Sequence, residues 1–240
     1  MTISDRSRVL AASLLAIAIG IASWWFLPRE DPKDYGQFAD SIFLNVVSNA
    51  GFLIVGGAGL LLRRNDAAAK TLFIGVILTA FGSAYFHADP LDAAGDLNRF
   101  TLLWDRLPMT IAFAGFLALV LHDRVGVSRW TLPLLAVIGI ATVVWWYVTN
   151  DLFPYALFQL FAPVGTLILI TVLQPRFTEA GYLAAGVFLF GIAKVFEALD
   201  DAIAKLGPIG GHPLKHVAGA LAALMILLWL VKRHDTIEGD

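Results

Sequence analysis

His212 and His216, within Gly211-His212-Pro213-Leu214-Lys215-His216, stand four residues apart. On a helix their imidazoles share one face. Two imidazoles at that spacing can hold one metal ion, with a carboxylate or a third histidine completing the site. A bare pair of this kind also occurs as two histidines at a membrane boundary, so the other polar groups decide its meaning. The chain has five histidines. His122 and His234 lie beside other charges at the ends of apolar runs and read as solvated. His87 ends one apolar run where His212 and His216 open another, and Asp105 lies just inside the start of a third. Three neutral imidazoles with an open fourth position form the donor set of a catalytic zinc. A closed structural site would need one more ligand, for which Asp105 is the obvious candidate. Ser83 precedes His87 by four residues and shares its helix face.

These residues must be positioned by membrane helices. Of the 240 residues, 58% are apolar and 15% charged, and the mean hydropathy is +0.75. An ordinary soluble domain is about half apolar and about a quarter charged. The composition predicts an all-α fold, a polytopic transmembrane helical bundle, in one domain spanning residues 1–240. With no cysteine, disulfides and thiolate metal sites are excluded. No basic patch or nucleic-acid motif is present, which sets that class of partner aside.

A span needs about 20 mostly apolar residues, and eight runs qualify: about 9–27, 42–62, 70–88, 101–121, 130–149, 153–173, 180–199 and 214–231. The first is read as a retained helix rather than a cleaved signal, because it is long and ends in Trp24-Trp25. Arg6, Arg8, Arg63, Arg64, Lys70, Arg124, Arg129, Arg176, Lys232 and Arg233 all fall on one side of such a bundle. The positive-inside rule makes that side, with both termini, cytoplasmic. Most acids, among them Glu30, Asp31, Asp34, Asp40, Asp89 and Asp151, fall on the other side with the histidine triad. Short loops and the lack of an organellar signal point to a bacterial inner membrane with the site toward the periplasm.

Two further stripes lie at the same depth. Lys194, Glu197 and Asp201 follow helical spacing on the seventh run and read first as a supporting ion-pair network. Asn45, Ser48 and Asn49 do the same on the second run and read first as hydrogen-bonding glue between helices.

The set Ser83-x-x-x-His87, Asp105-Arg106-Leu107-Pro108-Met109 and His212-x-x-x-His216 resembles that of the alkaline ceramidases. These are similar to a wider group of seven-helix membrane hydrolases that includes adiponectin/progestin-type receptors and GPI-lipid remodelling hydrolases. Asn45-Val46-Val47-Ser48-Asn49 matches the ceramidase first-core-helix pattern, and the resemblance covers roughly residues 40–232. It implies a seven-helix catalytic core over 42–231 with 9–27 as an extra N-terminal helix. It also implies zinc on His87, His212 and His216, Asp105 orienting or deprotonating the zinc-activated water, and Ser83 as a supporting or oxyanion donor. The implied reaction cleaves the amide of a ceramide-like lipid to a sphingoid base and a fatty acid. Glu197, Asp200 or Asp201 would accept from the second ring nitrogens of the histidines. Phe81, Phe113, Phe158, Phe188 and Phe196 would line a cavity for the acyl chains.

The animal enzymes of the family also carry calcium on acids just before the first core helix. Asp31, Asp34 and Asp40 lie in that region, without matching spacing, and Ile42 stands where the glutamate is expected. Other readings keep the metal but change the outcome: an ester-cleaving lipid hydrolase, or a lipid-binding receptor without turnover. A transporter using the Lys194/Glu197/Asp201 stripe lacks the repeat symmetry that such folds show.

Overall fold

The computed structural model describes residues 3–63 and 65–236. Arg64 and the side chain of Arg6, both used in the orientation argument, lie outside the described residues. The architecture is all-helical: α1 (Ile3–Phe26), α2 (Ile42–Val47), α3 (Ala50–Leu62), α4 (Ala67–Ala88), α5 (Arg99–Arg124), α6 (Thr131–Thr149), α7 (Phe153–Val172), α8 (Ala180–Ala198), α9 (Asp200–Ala204) and α10 (Gly211–Lys232). Among the described residues the only β contacts are two isolated bridges, Leu91 with Leu97 and Phe177 with Asp235. Eight segments, with α2 and α3 counted as one, are long and apolar enough to cross a membrane. The protein is an integral membrane protein of the expected helical class.

Three boundaries depart from the sequence reading, each for a local reason. The expected run 42–62 is interrupted at Ser48 and Asn49. There the Ser48 hydroxyl donates to the Asn45 carbonyl at 3.1 Å and the Asn49 amide donates to the same carbonyl at 2.8 Å. Side chains that bond their own backbone compete with helix continuation. The last span opens at Gly211 rather than near 214. Pro213 is tolerated in that first turn because the N–H it lacks would have no helical partner. Finally, α8 ends at Ala198 and a short separate turn, α9, begins at Asp200. Asp201 therefore leaves the stripe of Lys194 and Glu197, and it is exposed.

The core pair of helices is α4 and α5, held close by glycines. A Cβ on Gly75 would lie 2.4 Å from the Ala112 backbone nitrogen, and one on Gly82 1.9 Å from the Trp104 carbonyl oxygen. Small residues let membrane helices approach closely. Pro108, four residues after Trp104, has no N–H to give that carbonyl, so α4 packs where the α5 ladder is open. This contact sets Ser83 and His87 of α4 against Asp105 of α5. At the other end of the bundle, Leu72, Phe73, Val76, Val120, Leu183 and Trp229 are buried in one apolar cluster. A second cluster, with Phe86, Leu102, Val143, Trp146 and Tyr155, lies next to the polar end, with Tyr35 and Phe38 packed against it.

Candidate metal centre and lipid cavity

The end of α4 supplies His87, and the first two turns of α10 supply His212 and His216. These side chains are 2%, 3% and 3% exposed. Their ring centroids stand 4.6, 5.0 and 4.9 Å apart, nearly an equilateral triangle. One candidate ligand atom from each lies within 4.8 Å of the others. His87 Nε2 and His212 Nε2 are 3.1 Å apart. Two nitrogens on one tetrahedral zinc, each at about 2.0–2.1 Å, stand roughly 3.3–3.4 Å apart.

His216 Nδ1 meets the Ser48 hydroxyl at 2.7 Å, while His216 Nε2 and His87 Nδ1 are buried without a protein partner. A buried ring nitrogen with nothing to bond is costly. With His87 and His212 facing each other through Nε2, the orphaned His216 Nε2 completes a donor set that fits a cation shared by the three rings. Elsewhere among the described residues no group of three His, Cys, Asp or Glu gathers its ligand atoms in this way.

Asp105 and Ser83 are buried beside each other, with the Ser83 hydroxyl interacting with the Asp105 carboxyl. The other expected supports are used differently. Asp200 reaches His212 through its main chain, accepting from the backbone N–H at 2.7 Å, and its second oxygen accepts from Ala39 N–H at 3.2 Å. Glu197 accepts from Lys194 at 2.8 Å and from Lys215 at 2.7 Å. The partner seen on a histidine ring is Ser48, one of the residues read as helix glue. Asn45 and Asn49 are buried, and Asn45 donates weakly to the Asp40 carbonyl at 3.5 Å.

The three acids weighed for calcium do not converge. Asp31 binds Arg106 through both oxygens and accepts from Trp146 Nε1 at 2.8 Å. Asp40 accepts from Gly210 N–H at 2.8 Å. Asp34 lines the cavity mouth.

The segment between α1 and α2 was legible only as a polar connection, yet it roofs the site. Phe38 packs on His87 and His212 with ring centroids at 4.7 and 4.1 Å. Tyr35 stacks on Phe86 at 6.1 Å. Burial pushes the Tyr35 phenol up to about 12, so it stays protonated near neutral pH. The Arg106 guanidinium lies 4.1 Å from the Trp146 ring centroid and shares its burial with Asp31. Leu152 N–H donates to the Arg29 carbonyl at 2.6 Å, fastening the start of the roof to α7. Aromatic residues at Tyr35 and Phe38, in a stretch too polar to span, were the available signal.

Below the roof a cavity of about 1340 Å³ borders Ser83, Asp105, His212 and His216. It runs between Leu160, Val164 and Leu167 of α7 and Val187, Phe188 and Gly191 of α8. A narrower apolar cavity of about 140 Å³ shares Phe52, Met109, Pro163 and Phe190 with it and extends toward the bundle core. Phe188 is 69% exposed and Leu167 42%, so the wall between α7 and α8 faces the bilayer. Of the phenylalanines expected to line the cavity, Phe113 and Phe188 do. Phe81 turns outward at 60% exposure, and Phe158 is packed in the core cluster.

A protein-family model described as Ceramidase matches residues 39–202. The chain belongs to the ceramidase family. No curated protein and no solved structure matched it. For a ceramidase, the arrangement is chemically coherent: a buried nitrogen triad, a carboxyl and a hydroxyl meet at the head of an apolar cavity. Membership supports a hydrolase acting on the amide of ceramide-type lipids. The matched region holds Ser83, His87 and Asp105. His212 and His216 lie beyond it and reach the site because Asp200 holds the start of α10.

Proposed function

We propose that the protein is a zinc-dependent membrane hydrolase that cleaves the amide bond of a ceramide-like lipid to a sphingoid base and a fatty acid. The observation that carries this is the triangle of buried imidazoles, with His216 Nε2 orphaned, set beside Asp105 and Ser83 in a lipid-sized cavity. Sites for drug-sized ligands occupy about 300–1,000 Å³, so a larger cavity with a bilayer-facing wall suits a two-chain lipid.

His87, His212 and His216 would hold the ion, with Ser48 fixing His216 so that Nε2 faces it. When bound, zinc supplies Lewis acidity, polarising the carbonyl oxygen and bringing the pKa of a coordinated water down to about 7. Asp105 accepts a proton from the attacking water and returns it to the departing amide nitrogen. Ser83 donates toward the carbonyl oxygen as negative charge gathers there, or holds Asp105 in position when the site is free of lipid. The roof over residues 27–38 keeps bulk water off these groups, and the acyl chains lie along α7 and α8.

The site would face the periplasm of a bacterial inner membrane, with both termini in the cytoplasm. Calcium has little support, since Asp31 and Asp40 are engaged by Arg106 and Gly210. The test is elemental analysis of the detergent-purified protein, paired with hydrolysis of a fluorescent ceramide with and without a chelator. About one zinc per chain with chelator-sensitive release of fatty acid is the expected result. Absence of metal after gentle purification overturns the proposal.

A further inference from the structure

Lys215 is the one charged residue of α10 between His212 and Lys232, and it lies one position before a candidate metal ligand. Its ammonium donates to Glu197 Oε1 at 2.7 Å, and Lys194 donates to the other oxygen at 2.8 Å. All three residues border the large cavity. Ionised groups within membrane spans are expensive and are kept where they pair or act. A purely structural pair would need one lysine, whereas here two ammoniums share one carboxylate at the cavity edge, and each has three N–H donors of which Glu197 takes one.

Of the neighbouring carboxylates, Asp31 bonds Arg106 and Asp200 accepts from two backbone N–H groups, while Asp105 bonds Ser83 and also faces Lys215 electrostatically. Lys215 also lies within electrostatic range of all three histidines. A cation so placed works against binding of a metal ion, because like charges in a medium of low dielectric repel strongly. An anion seated between them reverses the sign of that interaction.

We propose that Lys215 and Lys194, sharing Glu197, form a subsite for an anionic oxygen group of the lipid held in the cavity. The inference rests on the proposed function only in taking that ligand to be a lipid bound beside the histidines. Two sources present the same chemistry: an acidic head group on the substrate, or the carboxylate freed when the amide is cleaved. Lys215 holds the group at the head of the cavity. Lys194, with its side chain 44% exposed, meets it on the way in or out.

The experiment is equilibrium binding in detergent, with hydrolysis followed in parallel. One arm compares a 16-carbon fatty acid with the alcohol of the same chain, and the other compares a short-chain ceramide with its phosphate ester. The wild type is expected to favour an anionic member by about tenfold or more, the scale of charge-assisted hydrogen bonds. Lys215→Gln should reduce the preference to about twofold and Lys194→Gln by a smaller factor, with Glu197 still paired in each. Preference for the fatty acid identifies the carboxylate as the ligand, and preference for the phosphate ester identifies a head group. Equal binding of charged and neutral members by the wild type overturns the proposal, as does a preference that persists in both variants. Should Lys215→Gln fail to fold, the partly exposed Lys194→Gln carries the same comparison. Lysine-dependent anion binding without hydrolysis would leave the subsite standing and remove the hydrolase reading. Hydrolysis without anion preference would do the reverse.

Discussion

In the proposed mechanism Asp105 belongs to the chemistry and Ser48 to its support. Asp105→Asn keeps the volume of the side chain and the three imidazoles but cannot accept a proton. Hydrolysis of a lipid amide should fall by about 10²–10⁴-fold with zinc content unchanged. Normal turnover by that variant would remove Asp105 from the reaction. His216→Ala should lose the metal outright, and full zinc occupancy in it would exclude that residue as a ligand. Ser48→Ala removes the hydroxyl that meets His216 Nδ1 at 2.7 Å. Metal affinity should drop by about 10–100-fold, the usual effect of deleting a partner behind a ligand, and competition with a chelator of known affinity would measure it. Spacing made the His212/His216 and Ser83/His87 pairs readable in the sequence, because each depends on one helix period, and the shared depth of the two runs brought His87 to the other two. The partner of His216 was not readable as such, since it depends on how α2 turns against α10, and sequence spacing along one helix carries no information about that.

The helices were legible because length and hydropathy fix spans almost unaided, while their ends were not. The stop at Leu199 that detaches Asp201 from Glu197 comes from α10 packing onto the end of α8, where a Cβ on Gly211 would lie 2.0 Å from the Phe196 carbonyl oxygen. Nothing local in the run from 194 to 201 announces it. The α4–α5 seam offers a direct test. Gly82→Ala places a methyl against the Trp104 carbonyl and should cost about 1–3 kcal/mol, as overpacking does. Its thermal midpoint in detergent should fall by several degrees. Gly57→Ala meets nothing within 4 Å and should be neutral or slightly stabilising, since alanine is the better helix former. A common response of the two would mean that the seam is not closely packed.

At the scale of the molecule, a buried ion pair is among the contacts that join the N-terminal segment to the bundle. Asp31 and Arg106 have side chains 7% and 6% exposed. Asp31→Ala strands the guanidinium and should destabilise the fold by about 3–5 kcal/mol, read as a lowered midpoint for chemical unfolding. Restoring most of that loss with Arg106→Met in the same chain would show that the stranded charge, not lost packing, is the cause. The family match begins at residue 39, so the roof and α1 lie ahead of it. That ordering bears on when an ion can arrive. Arg106 is translated 75 residues after Asp31, and His212 and His216 come later still, so the roof can pair with α5 before the triad is complete. A hydrophilic ion for the proposed reaction then has to pass that roof to reach the completed set of imidazoles. Exchange of a bound ion in the finished protein would then follow the opening of the Asp31–Arg106 pair. Chelator added to folded protein should strip the ion over hours, Asp31→Ala should shorten this to minutes, and protein made in zinc-depleted medium should resist reconstitution until it is partly unfolded.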